Sequence, residues 1–209
     1  MNSELENTCA GKPIKSAMHS FSQCFLSSCK KFSELAKLPE NEQNISIFNS
    51  SCIINAACFL EAKINEEISM AVICFEYDQD EPEGKAWRAI QRLQKKLNIQ
   101  EKWDLVALRT NGIPWDNSVE PFQSFEIISS LRNELVHYKA AFHGKDEAPN
   151  RKISGLMKKL DVSSQASWTD DDCSSWVSDL LGSYRLAEWV YQNISSFDES
   201  YYSLRHTKT

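Results

Sequence analysis

The chain of 209 residues carries 29 acidic against 23 basic side chains, a formal charge of −6, and 42% of it is apolar. One domain of generous size fits that length, and six Trp, six Tyr and ten Phe supply a large core. The negative total argues against unspecific binding to nucleic acid or an anionic membrane, and only six Gly and six Pro argue against a turn-rich β-sandwich.

The first stretch, MNSELENTCAGKPIKS, is polar and lacks the apolar centre of a secretory signal; residues 1–14 read as a flexible segment. Residues 15–37 place Met18, Phe21, Phe25, Cys29, Phe32 and Leu35 at helical spacing. LPENEQN (38–44) reads as a loop, with Asn44 or Ser46 as a cap for a long helix over 45–77. DQDEPEG (78–84) breaks it, and a basic amphipathic helix is expected over 85–97. A short helix over 100–111 stops at Asn111-Gly112, and Ser118 stands as a cap ahead of Pro121.

The next helix, 120–142, carries Phe122, Phe125, Ile128, Leu131 and Leu135 along one side. A short helix near 150–160, a polar loop (SSQASWTDDD) and one last helix over 172–196 complete the expectation. The fold class is all-α, an antiparallel helical bundle forming one domain over 15–197, with 198–209 as a C-terminal tail. The longest uninterrupted apolar runs are about six residues, against roughly 18 for a membrane span, so a soluble, cytoplasmic protein without membrane contact is expected. The seven Cys include no CxxC pair. Cys24, Cys29, Cys52, Cys58 and Cys74 fall in apolar helical stretches and read as buried free thiols, with no metal or cofactor expected. Three Asn-x-Ser/Thr matches, at Asn44, Asn49 and Asn193, carry no information in that setting.

Charge is uneven. From Lys139 to Lys159 six basic residues (Lys139, Lys145, Arg151, Lys152, Lys158, Lys159) face two acids (Asp146, Glu147), giving +4 and leaving −10 elsewhere. This basic stretch begins just after LRNELVHYK (131–139), which brings Arg132, Asn133 and His137 within six residues. On a helix Asn133 and His137 lie about 40° apart, whereas Arg132 and His137 are about 140° apart. One regular helix therefore gives no tight Arg–His pair, and a second helix or subunit has to supply the missing half.

Arg offers a fork of donors matched to phosphate oxygens, His moves protons near neutrality, and Asn orients either partner without adding charge. RNA phosphodiester cleavage uses these functions, with the 2′-hydroxyl as internal nucleophile. On the residues alone a second reading stands beside this one: His137 as a satisfied interface or core histidine, and Arg132 as a surface ion-pair partner.

RNELVH matches the R-N-x-x-x-H form of the R-x4–6-H motif, and in this motif and its helical architecture the chain resembles HEPN domains (higher eukaryote and prokaryote nucleotide-binding). The resemblance implies an all-α bundle that pairs into a homodimer, with two motif helices meeting at a cleft that acts as a metal-independent endoribonuclease, often a toxin or defence effector. Carried over, Arg132 polarises the scissile phosphate, His137 serves as general base or acid, and Asn133 is the polar residue after the arginine. Glu61 and Asn65, one turn apart on the long helix, are expected to face the same cleft. Tyr138, Lys139 and Lys152 are expected on the RNA path. RNA or a nucleotide, a second copy and an antitoxin or other protein are the expected partners. The related R-x4-H-x-Y toxins carry a modifiable tyrosine two places after the histidine. Here that place is Lys139, and Tyr138 comes one place early. The alternative function is a non-catalytic helical module that dimerises or binds nucleotide or RNA.

Overall fold

The computed structural model describes residues 19–75, 80–137, 148–164, 168–169, 172–173 and 175–206. It is all-α apart from one minute hairpin, in which β1 (Trp168–Thr169) pairs antiparallel with β2 (Asp172–Cys173). The predicted flexible segment 1–14 lies outside the described residues.

The first helix, α1 (Phe21–Leu35), is capped from across the bundle. Ser20 occupies the N-cap but makes no cap bond with its own side chain. The Glu66 carboxylate instead accepts from the Ser22 N–H at 3.0 Å and the Ser22 hydroxyl at 2.6 Å, and from the Ser20 hydroxyl at 3.0 Å. Burial pushes the Glu66 carboxyl up, but these bonds outweigh it and hold the group below the usual carboxylate range.

A 3-10 turn (Pro39–Asn44) leads into α2 (Ile45–Cys74), the central helix, which packs against α1 and most of the helices introduced below. Its inward residues Cys52, Ile53, Ala56, Phe59, Leu60, Ile64 and Ile68 follow the three-to-four-residue step and are fully buried. The count of uninterrupted apolar runs passes over one feature of this helix. By length and composition alone, Pro39–Cys74 contains an 18-residue stretch apolar enough to cross a membrane, because Ser and Asn interrupt its apolar runs without adding charge. The core helix of a soluble protein passes the same test. Asn44 stands at the N-cap without a side-chain cap bond.

Helix α3 (Pro82–Leu93) starts where Glu81 accepts from the Gly84 N–H at 2.8 Å. A capping box of Asn98 and Glu101 opens α4 (Ile99–Asn111), and Gly112, at φ 80°, closes it in the left-handed conformation that glycine adopts without strain. Helix α5 (Phe122–Val136) follows, its first turn capped by Glu120, which accepts from the Ser124 N–H at 3.0 Å. Ser118 bonds to Asp116 instead of capping this helix. Asn150 caps α6 (Arg151–Lys159) through the N–H groups of Lys152 and Ile153.

The predicted helix 172–196 is two helices, α7 (Trp176–Leu181) and α8 (Leu186–His206), broken at Gly182-Ser183. Asn49 of α2 accounts for the break. Its buried amide donates to the Leu181 and Ser183 carbonyls at 2.6 and 2.8 Å and accepts from the Ala187 N–H at 2.8 Å, so the corner is satisfied from outside. The segment expected as a tail from 198 is helical to His206, because Tyr201 is buried against Trp103 with ring centroids 5.1 Å apart. Phe197 joins Trp103, Trp115, Phe122 and Phe125 in one aromatic cluster that binds α8 to α4 and α5. Not all five thiols expected inside are buried: Cys29 and Cys52 are, but Cys24 and Cys74 lie on outward faces of α1 and α2.

Candidate functional site

Helix α5 positions the Arg132 cluster. Phe122, Phe125, Ile128 and Leu131 point into the core, as their spacing predicts, and this fixes the helix about its axis. Arg132 is left half-buried and Asn133 exposed, with the Arg132 guanidinium donating to the Asn133 side-chain oxygen at 3.1 Å. The helix ends at Val136. His137 follows as the C-cap, off helical geometry at φ −103° and ψ 18°, exposed, with its N–H returning to the Asn133 carbonyl at 2.9 Å.

Arg132 and Asn133 open on a groove of about 390 Å³ between α5, α2 and the start of α4. Glu61 lines the same groove from α2, so the expected meeting of Glu61 with the motif helix is present within one chain. The floor between them is apolar, built from Ile54, Ala57 and Ile99, with Val136 at the α5 edge. His137 is not among the lining residues.

Glu61 does not stand alone. Its carboxylate pairs with the ammonium of Lys102, whose side chain is only 8% exposed while that of Glu61 is 48% exposed. Asn65 completes the network: its side-chain oxygen accepts from Lys102 at 3.2 Å and from Gln94 at 2.6 Å, and its amide reaches Glu61 at 3.4 Å. Asn65 therefore holds the groove wall rather than facing the groove. One Glu61 oxygen takes the Lys102 and Asn65 bonds, leaving the other to whatever enters.

Lys102 is the residue that sequence reasoning missed, although a signal was available. Ile99, Lys102, Trp103 and Val106 follow the i, i+3, i+4, i+7 pattern of one face, which places a lysine on a stripe that is otherwise apolar.

Lys152 lies elsewhere. It pairs with Glu126 at 2.5 Å, about 120° around α5 from Arg132, in a separate groove between α5 and α6. Tyr138 and Lys139 lie outside the described residues, as do Lys145, Asp146 and Glu147 of the basic stretch. Among the described residues no three His, Cys, Asp or Glu side chains converge as a metal ion would require.

The groove thus offers a guanidinium oriented by an amide, a carboxylate oriented by a buried ammonium, and an apolar floor. That set suits a ligand bearing both an anionic group and hydrogen-bond donors on a flat body. No protein-family model, curated protein or solved structure matches the chain.

Proposed function

We propose that the chain is a HEPN-type, metal-independent endoribonuclease acting as a homodimer, with a composite site built from Arg132, Asn133 and His137 of each copy. The observation that carries this reading is their arrangement on α5: Arg132 and Asn133 open on a groove while His137 stands exposed at the end of the same helix. Within one chain the imidazole is outside the groove that the guanidinium lines, and a second copy is the source proposed for the missing partner.

In the proposed reaction the RNA 2′-hydroxyl attacks the adjacent phosphorus. The Arg132 guanidinium stabilises the charge gathering on the phosphoryl oxygens, and Asn133 keeps the guanidinium aimed. One His137 removes the 2′-hydroxyl proton and its counterpart protonates the departing 5′-oxygen, since a dimer supplies two copies. Because the nucleophile belongs to the substrate and is held beside the phosphorus, the step needs no metal-bound hydroxide.

The test is cleavage of single-stranded RNA by the purified protein in EDTA. Products ending in a 2′,3′-cyclic phosphate and a free 5′-hydroxyl are expected, and Arg132→Ala and His137→Ala should each lose at least about a hundredfold in rate. Full activity in either variant refutes the assignment. A role as toxin or defence effector predicts growth arrest on expression, relieved by His137→Ala.

A second reading draws support from Glu61. A carboxylate sharing the groove with Arg132 repels a phosphate and suits the donor edge of a base, as a non-catalytic nucleotide-binding or dimerisation module requires. That reading predicts intact RNA together with loss of dimer or of nucleotide affinity in the same variants.

A further inference from the structure

On the other flank of α5 lies a larger groove, about 490 Å³, between α5 and α6. Its floor is Ile127, Leu156 and Trp189, the last only 6% exposed. The indole N–H of Trp189 is buried without a hydrogen-bond partner. The rim carries Arg151, Lys152 and Lys159 against Glu120 and Glu126, a local excess of positive charge on a chain whose total is −6.

These cations are not equally engaged. Lys152 is committed to Glu126 at 2.5 Å. Lys159 is 4.0 Å from Glu120, with its ammonium 6.0 Å from the centre of the Trp189 ring. Arg151 forms no ion pair among the described residues. Among the described residues, Arg151 and the loosely paired Lys159 therefore keep capacity for an anion at one edge of a partly aromatic floor.

Gly155 is the second observation. It sits in the interior of the nine-residue α6, where glycine costs about 0.5–1 kcal/mol relative to alanine. A Cβ there would meet nothing within 4 Å, so packing within the chain does not require the glycine. What it does is bring bare helix backbone to the groove wall, leaving room for a flat group to lie against it.

We propose that this groove binds a nucleotide unit, its base lying along Ile127, Gly155 and Trp189 and its phosphate held by Arg151 and Lys159. The volume falls in the range of about 300–1,000 Å³ usual for small-molecule sites. Gln123 at the rim offers both donor and acceptor to the base edge. The site is separate from the Arg132 groove and does not depend on RNA cleavage. The unit is either a free nucleoside monophosphate or one residue of an RNA strand crossing this flank.

Isothermal titration of the full chain with the four ribonucleoside 5′-monophosphates, adenosine, inorganic phosphate and a short single-stranded oligoribonucleotide tests this. The oligonucleotide arm uses His137→Ala so that any cleavage does not consume it. Gly155→Leu, which fills the groove on an exposed helix face, and Arg151→Ala should each weaken binding by about tenfold or more. The thermal midpoint of Gly155→Leu should stay at or above that of the wild type. Binding of a monophosphate, lost in both variants, establishes a free-nucleotide site. Oligonucleotide binding without monophosphate binding, lost in both variants, places an RNA residue there. Inorganic phosphate binding as tightly as any nucleotide, binding indifferent to Gly155→Leu, or no binding in any arm overturns the proposal.

Discussion

The Lys102–Glu61 pair is asymmetric, and the asymmetry predicts which half matters more for stability. Replacing Lys102 by Met removes the ammonium and keeps an apolar stem of similar length. It leaves a carboxylate whose side chain is already 48% exposed, so water replaces the lost partner. The net change should lie within about 1 kcal/mol of zero, in either direction. Replacing Glu61 by Leu instead leaves an ammonium on a side chain that is 8% exposed, with only the Asn65 oxygen at 3.2 Å to hold it. Breaking a buried pair from that side typically costs about 3–5 kcal/mol, and movement of the flexible lysine stem toward the groove should bring the value to about 2–4 kcal/mol. The double variant should recover most of the loss. Urea denaturation followed by far-UV circular dichroism measures all four members of the cycle, with unchanged m-values certifying that the folded and unfolded states are comparable. Equal losses in the two single variants, or a larger loss in Lys102→Met, would refute the account of who depends on whom.

Three further outcomes follow from individual polar groups. Glu66 has its carboxyl held below the usual range, so the stability it contributes is present above that range and lost as pH falls through the folded-state value; Glu66→Gln should lower the urea midpoint at neutral pH and flatten its decline toward about pH 3. Asp104 has its carboxyl pushed up by burial, only partly offset by the Trp115 N–H. The charged form therefore weakens the fold at neutral pH, and Asp104→Asn should raise the melting temperature there, with the gain fading on acidification as the wild-type carboxyl takes up its proton. Asn49→Ala removes three buried hydrogen bonds and strands the Ala187 N–H and the Leu181 and Ser183 carbonyls. A loss of about 3–5 kcal/mol in urea denaturation is expected, and a loss under about 1 kcal/mol would show that water repairs the corner.

What could be read from the chain alone follows physical locality. The stripe through Phe122, Phe125, Ile128 and Leu131 and the stop at Gly112 depend on neighbours a few residues away, and both are where the spacing puts them. The break at Gly182-Ser183 was hidden because Trp176, Leu180, Tyr184 and Ala187 keep helical register across it, yet Tyr184 is 55% exposed and Ala187 is buried on a new helix. Its cause, the Asn49 amide, is more than 130 residues away and in the sequence stands only as part of an uninformative sequon. Lys102 followed the same rule, since its burial depends on Glu61 on another helix. The motif on α5 was legible as a cluster, and Glu61 lines the same groove while Asn65, paired with it in the sequence reading, does not. That Lys152 belongs to a different flank was not legible, because the direction in which α6 returns lies in tertiary packing rather than in spacing.

The Asn49 corner also sets a timetable for the growing chain. Its acceptors and donor lie 132 to 138 residues downstream, so synthesis at about 5–20 residues per second separates them by roughly seven to twenty-eight seconds. For most of that interval α2 has been made, while the α7–α8 corner that closes over its first turns has not. The earlier helices can already pack on α2 in that interval, but the buried Asn49 amide and the first turns around it wait for the corner that satisfies them. A translational pause before residue 181 therefore prolongs the time in which that amide has no partner from α7 and α8.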